Sequence, residues 1–456
     1  MNSRGSRRRC TCGGIDGVSA DENRVRTATE VRWWFLRHSQ NQRPTVRITK
    51  LLRILLGLED TRVVDVGFDA AGLVIDVAPT WRRPRCSECG RKCPGYDRDP
   101  DRRWRHLDVA GLEFHLRYDT RRVKCPKCGV KVEKLPWAET SSWFTRPFED
   151  QVGYLAQRCD KTTVSAMMRV AWSTVGAIIQ RVVARHRDHD LLNGLTVIGV
   201  DELSYRRHHE YVTVVVDHTR GCVVWARQGK NADTLKAFFA ELGPERGAQL
   251  EAVTIDMSAA YIKAVTEASP QAQIIFDRFH VQRLAQDAVD EVRRDEVRAA
   301  TSEEERKQLK GTRWQLLKSF WNLSLFDSLR LSQLQRENKR LYRAYLLKDS
   351  LVRILDCRSE WLARIKLDQW IRWARRSRLE PFKRIAGTIR DCTEGILAYV
   401  RSGLSNGRTE GLNGKARTIT RRSFGFHSSS GLIALLMLCC SGIHLDPVQL
   451  QPGSTH

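Results

Sequence analysis

Apolar and polar residues alternate along "TRVVDVGFDAAGLVIDVAPT" (61–80), and a Gly-containing turn near its middle splits the stretch into two strands. "GLEFHLRYDTRRV" (111–123) carries a second strand-like pattern. From 148 the spacing turns helical. "FEDQVGYLAQRC" (148–159) reads as one helix, and "TVSAMMRVAWSTVGAIIQRVVARH" (163–186) as two short helices broken near Ala171 to Ser173. Such a pair is either a helix-turn-helix, its second helix starting near Ser173, or an ordinary helical hairpin. The pattern alone leaves both open.

An α/β series follows. "TVIGVDEL" (196–203), "EYVTVVVD" (210–217) and "GCVVWARQ" (221–228) read as strands and "ADTLKAFFAEL" (232–242) as a helix. "EAVTID" (251–256) is a buried-type strand, and "AQIIFDRFHV" (272–281) completes the series. Three strands, a helix and a further strand is the order of the RNase H-like fold, although other α/β folds begin in the same way. Residues 284–400 are charged and helical, and Trp314, Trp321, Trp361, Trp370 and Trp373 are expected to be packing residues there.

The expected organisation is a multidomain α/β chain. A basic flexible arm (1–45) precedes a β-rich zinc-binding domain (46–140) and a helix-turn-helix DNA-binding domain (141–190). A catalytic domain begins at 191–283, is interrupted by an α-helical insertion (284–400), resumes at 401–445 and ends in a tail (446–456).

Charge adds a partner. Lys+Arg 77 against Asp+Glu 53 leaves a net +24, which marks a polyanion, double-stranded DNA first. The opening "MNSRGSRRRC" lacks the apolar run of a secretory signal, and "GLIALLMLCCSGI" (431–443) is too short to span a bilayer. A cytoplasmic protein without a membrane partner is expected, its thiols reduced.

Two Cys-x-x-Cys-Gly knuckles, Cys86/Cys89 and Cys125/Cys128, can supply the four sulfurs that a structural zinc prefers, with Cys93, His106 and His115 in reserve. The candidate chemistry lies elsewhere. Asp201 and Asp256 each end an apolar strand, so adjacent strands would let them share divalent ions. Glu410 is the lone acid in "SNGRTEGLNGKARTITRRSFGF" (405–426), a setting that suits either a salt-bridged surface glutamate or a third metal ligand beside substrate-holding arginines. Three acids fit phosphodiester chemistry with two magnesium or manganese ions, and Arg408, Lys415, Arg417, Arg421 and Arg422 would meet the DNA. Asp217 and Asp277 compete as strand-end acids, while Glu202 should face the opposite side of the sheet from Asp201.

"VIGVDE", "TIDMSAAY", "FDRFHV", "RSRLEPFKRIAGTIRDC" and "GLSNGRTEGLNGKARTITRRSFGFHS" resemble the ISL-three family of bacterial insertion-sequence transposases, over roughly residues 46–445. The resemblance implies a DDE transposase with an RNase H-like domain in which Asp201, Asp256 and Glu410 are catalytic. It implies magnesium- or manganese-dependent hydrolysis at the terminal inverted repeats and joining of the 3′-OH ends to target DNA, by a homodimer or higher oligomer. His280 matches a family motif without an assigned role. A non-catalytic DNA-binding regulator and a stand-alone RNase H-like nuclease are the alternatives.

Overall fold

A computed structural model describes residues 48–448, apart from 71, 110, 188–189, 207–209, 405–406, 424–425 and 427, and apart from the side chains at 48, 206, 408–410 and 413. The arm read over 1–45 and the tail from 449 onward lie outside the described residues.

A short helix, α1 (Ile48–Leu56), leads into β1 (Thr61–Asp69), β2 (Gly72–Pro79), β3 (Gly95–Val109), β4 (Leu112–Cys125) and β5 (Gly129–Val132). The order is β1-β2-β4-β3, with β5 paired to β4. Alternation divides the sheet into two faces. Ile75, Val77, Trp104, Phe114 and Leu116 build a buried core with Trp137, while Arg62, Asp76, Arg117 and Arg98 belong to the polar face.

Next come α2 (Arg146–Arg158), α3 (Lys161–Met168) and α4 (Trp172–His186). The Thr145 side chain caps α2, and Asp160 caps α3 by accepting from the Thr162 and Thr163 amides. Arg169 closes α3 in the left-handed region at φ 53°, so the break falls at 169–171, just before the position expected from sequence. Its guanidinium reaches back to Asp108 at the end of β3, tying the turn to the first sheet. Glu149 of α2 is fully buried and holds Arg181 (2.6 Å) and Arg185 (2.9 Å) of α4. Burying this acid is tolerable because both cations accompany it.

The second sheet contains β6 (Val197–Arg206), β7 (Glu210–Asp217), β8 (Cys222–Gln228), β9 (Ala252–Ile255) and β10 (Gln273–Phe276), in the order β10-β9-β6-β7-β8. β6, β7 and β8 are antiparallel, whereas β9 runs parallel to both β6 and β10. Almost every residue of β7 and all of β9 are buried, so both faces are covered. The helices are α5 (Ala232–Leu242), α6 (Pro244–Gly247) and α7 (Ala259–Ala268), then α8 (Arg278–Ala299), α9 (Glu303–Gly311), α10 (Arg313–Leu317), α11 (Leu325–Glu337), α12 (Lys339–Leu355), α13 (Glu360–Arg376), α14 (Glu380–Asp391), α15 (Thr393–Ser402), α16 (Gly407–Arg422) and α17 (Ser429–Cys440). α7 packs on β9, α15 on β10, α16 on β6 and α17 on β8.

The β9–β10 ladder stops at Phe276, so Asp277 follows its strand as expected, and the Val281 amide donating to the Asp277 carbonyl starts α8. The tryptophans change one expectation. Trp370 is a core residue whose Nε1 donates to the Leu347 carbonyl at 2.8 Å. Trp314, Trp321 and Trp361 are instead 71%, 78% and 72% exposed, because the short α10, the turn after it and the first turn of α13 present them to solvent. Arg313 and Arg353 stack over the Trp314 and Trp321 rings. The apolar late stretch is the buried helix α17, and among the described residues no helix is long and apolar enough to cross a membrane.

Candidate active site and zinc centre

Three neighbouring strands of the second sheet run parallel; β9 and β10 stop at Ile255 and Phe276, whereas β6 continues to Arg206, so Asp201 lies within its strand rather than at the end expected from sequence. The register pairs Gly199 with Thr254 and Phe276 with Ile255. Continued past the ladders, it sets Asp201, Asp256 and Asp277 side by side at one level of β6, β9 and β10. Adjacent strands are about 4.8 Å apart, and residues in register share a face. All three aspartates line a cavity of about 590 Å³ at the carboxyl ends of β9 and β10 and beside Asp201 of β6, with Glu202, His280 and Arg417.

Local geometry fixes the acids. Asp201 Oδ1 accepts from the Glu202 amide at 2.7 Å, and Asp256 Oδ1 from the Ser258 amide at 3.0 Å. Asp277 is 4% exposed, its Oδ2 4.0 Å from His280 Nε2 one helical turn on. Glu202 follows Asp201 in the continuing β6 ladder, opposite Thr213 where Asp201 is opposite Val214, so the two positions alternate between faces as expected. Both acids nonetheless line the cavity, and Tyr261 of α7 hydrogen-bonds Glu202 at its wall. Burial, then the charges of Asp256 and Asp201, push the Glu202 carboxyl above its ordinary range, and the Tyr261 hydrogen bond opposes them. Burial also raises the Tyr261 phenol, which shares a 3.2 Å hydrogen bond with Thr213 Oγ1. Asp217 is a turn cap at the far end of β7: it takes the Thr219 amide at 2.7 Å and pairs with Arg220.

α16 brings the late basic segment to this cavity. Arg417 lines it, and position 410 lies two turns earlier on the same helix. The Glu410 and Arg408 side chains lie outside the described residues. Lys415 donates to the Cys439 carbonyl, Arg422 donates to the Ala156 carbonyl at 2.9 Å, and Arg421 is exposed. Sequence reasoning missed Tyr261 and Arg283, which also line the cavity. The signal for Tyr261 was its place five residues after Asp256, where a helix at the strand end brings it back over the site.

The Cys86, Cys89, Cys125 and Cys128 sulfurs lie within 4.8 Å of one another, the Cys89–Cys125 pair at 3.6 Å. A zinc tetrahedron with bonds of about 2.3 Å has edges of about 3.8 Å, so the four thiols fit a structural ion. Gly90 and Gly129 follow the knuckles at φ 69° and 75°, conformations that favour glycine. Burial raises the Cys125 thiol, but the amides of Cys128 and Lys127 and the neighbouring thiols bring it down to about 6. The reserve residues are otherwise engaged: Cys93 donates to the Arg91 carbonyl, His106 bonds Thr145 and His115 bonds Glu113.

Family comparison agrees with this division. Residues 82–128 match the zinc-finger of transposase IS204/IS1001/IS1096/IS1165, 133–183 the helix-turn-helix domain of transposase family ISL3, and 198–436 the ISL3 DDE transposase domain. The chain is 39% identical over 429 residues to the transposase for insertion sequence element IS1557 of Mycobacterium tuberculosis, covering 87% of this chain and 96% of the relative. It is 30% identical over 358 residues to the transposase for insertion sequence element IS1001 of Bordetella parapertussis, covering 78% and 88%. With all three domain types present in order and relatives aligned over most of its length, the chain belongs to the ISL3 family of transposases.

Proposed function

We propose that the chain is a DDE transposase that cuts DNA at the terminal inverted repeats of its element and joins the freed 3′ ends to target DNA. The observation that carries this reading is the convergence of Asp201, Asp256 and Arg417 on one cavity. Numbering the strands of the second sheet from one in chain order gives 5-4-1-2-3, with only 1, 4 and 5 parallel, which supports an RNase H-like catalytic domain. In that domain, the helices from α8 to α15 form an insertion ahead of the Glu410 helix.

The hard oxygen donors of Asp201 and Asp256, completed by Glu410, suit magnesium or manganese. When bound, such ions polarise the phosphodiester and activate the attacking oxygen. The chain's own residues do the positioning. Asp201 and Asp256 each accept a backbone amide, from Glu202 and Ser258, so the chain itself helps to set the orientation of both carboxylates. Arg417 offers a cation to the scissile phosphate. Water adds to phosphorus, the P–O3′ bond breaks, and the departing oxygen leaves as a 3′-hydroxyl. That hydroxyl then attacks a target phosphodiester, forming one P–O bond as another breaks, with no covalent protein intermediate.

α4 of the helix-turn-helix and the zinc domain would hold the terminal repeats, and pairing two ends calls for at least a dimer. The test compares wild type with Asp201→Asn, Asp256→Asn and Glu410→Gln on a labelled terminal-repeat duplex with magnesium. Cutting and strand transfer should vanish in all three while binding persists. Tight binding without cutting by wild type under any divalent metal would replace the enzyme by a regulator, and cutting without strand transfer would make it a nuclease.

A further inference from the structure

The polar face of the first sheet carries a groove that the chemistry of the acidic cavity does not use. It has a volume of about 880 Å³ and is lined by Arg62, Arg82, Arg98, Arg117 and Arg121 with Trp81. Alternation explains why arginines gather here. Arg62 pairs with Ala78 across β1–β2, Asp76 with Arg117 across β2–β4, and Arg98 with Arg121 across β4–β3. Side chains in register share a face, so these positions form one surface opposite the Trp104 core.

The arginines divide by role. Arg117 is spent on Asp76, held by two hydrogen bonds at 2.5 and 2.8 Å. Arg121 grips the fully buried Glu133 and also donates to the Arg82 carbonyl at 3.2 Å, fixing the groove wall that carries Trp81 and Arg82. The Asp119 carboxylate accepts the Asp101 amide at 2.9 Å. Arg62, Arg82 and Arg98 are exposed and have no carboxylate partner among the described residues. They therefore present guanidinium groups on a braced frame. Arg62 on β1 and Arg98 on β3 are three strand spacings apart, about 14 Å. Successive phosphates of one strand advance 3.4 Å along the duplex axis, so that width, laid along the axis, matches about four of them.

We propose that this groove docks the sugar–phosphate backbone of duplex DNA through Arg62, Arg82 and Arg98. It is a contact surface separate from the helix-turn-helix and from the acidic cavity. The proposal rests on the DNA-processing reading of the chain. Guanidinium–phosphate contacts carry no sequence information, so the groove adds affinity and orientation rather than specificity.

The test uses the full chain and a labelled duplex of about 30 base pairs, in terminal-repeat and scrambled versions, with affinity measured across a salt series. Each lost phosphate contact lowers the slope of log affinity against log salt by about 0.9. The Arg62→Ala/Arg82→Ala/Arg98→Ala variant should lose roughly 2 to 3 from that slope, equally on both duplexes, with its zinc content and melting temperature at wild-type values. The matching triple lysine variant should keep the slope. An unchanged slope in a folded, zinc-loaded alanine variant overturns the groove while leaving the transposase reading intact. A wild-type chain that binds neither duplex overturns both.

Discussion

Gly395 offers a sharp test of how tightly the acidic cavity is built. It sits in α15, where an added Cβ would lie 2.4 and 2.5 Å from Cδ2 and Cε2 of Phe276. Carbon contacts settle near 3.5–4.0 Å, so the Gly395→Ala variant must displace the ring or the helix by roughly 1 Å. Phe276 is 4% exposed and locked in the β9–β10 ladder, so its ring has no solvent to retreat into. Two effects oppose each other. Alanine in place of a helical glycine is worth about 1 kcal/mol in favour of the helix, and overpacking costs about 1–3 kcal/mol. The net loss of stability is therefore small, at most about 2 kcal/mol. Activity should suffer far more, because Phe276 pairs in register with Ile255, the residue before Asp256, and a 1 Å displacement in a reacting constellation costs about a hundredfold in rate. Single-turnover cleavage of a terminal-repeat duplex, with a thermal melt alongside, reads both quantities. Phe276→Val in the same chain should restore much of the rate by removing the clashing ring atoms. A Gly395→Ala enzyme that cuts at the wild-type rate would falsify the claim that β10 and α15 hold the site in register.

Three further outcomes are expected. Burial drags the His106 imidazole from 6.5 to about 4, so the fold favours its neutral form. That contribution is complete above about pH 6.5, is lost as pH falls through the window down to about 4, and amounts to about 3 kcal/mol at 1.36 kcal/mol per unit. Melting curves in excess zinc should show wild type losing stability over this window, with His106→Gln flattening the difference; parallel curves would remove the argument. Cys125→Ser should lose the bound zinc and unfold the β3–β5 end of the first sheet, read by metal analysis and by proteolysis there, and zinc retained at the wild-type level would refute the four-thiol site. Glu149→Ala should cost about 3–5 kcal/mol, because Arg181 and Arg185 lose the buried acid between them, and a melt within 1 °C of wild type would show that those cations find other partners.

The parts legible in the sequence are those that one short stretch determines. Strand alternation, the knuckle spacing and the α/β series each depend on local periodicity or on fixed offsets, and the β1–β5 sheet, the Cys86/Cys89/Cys125/Cys128 cluster and the strands from β6 to β9 follow them. The misplaced features depend on partners distant in sequence. Leucine and tryptophan at helical spacing cannot reveal which stripe of a short helix meets a neighbour, so Trp370 was placed correctly and Trp314 was not. Glu202 keeps the face that alternation gives it, but its place on the cavity wall depends on Tyr261, which lies far along the chain and meets it there.

The acidic site shows the same division at finer scale. Each of Asp201, Asp256 and Asp277 can be read from sequence as an acid that ends or follows an apolar strand, but so can Asp217, and nothing local separates them. Chain direction does. β7 runs antiparallel to β6, so the carboxyl end of β7 lies beside the start of β6, where Asp217 pairs in register with Ile198 and caps a turn. β9 and β10 run parallel to β6, so their strand-end acids arrive at the same edge as Asp201. A parallel connection requires a crossover, here supplied by α5–α6 and by α7, and the acids can meet only after those crossovers close. The geometry that brings three acids together is thus set by topology, and Arg417, delivered by a helix that lies on β6, reaches the same cavity from the late basic segment.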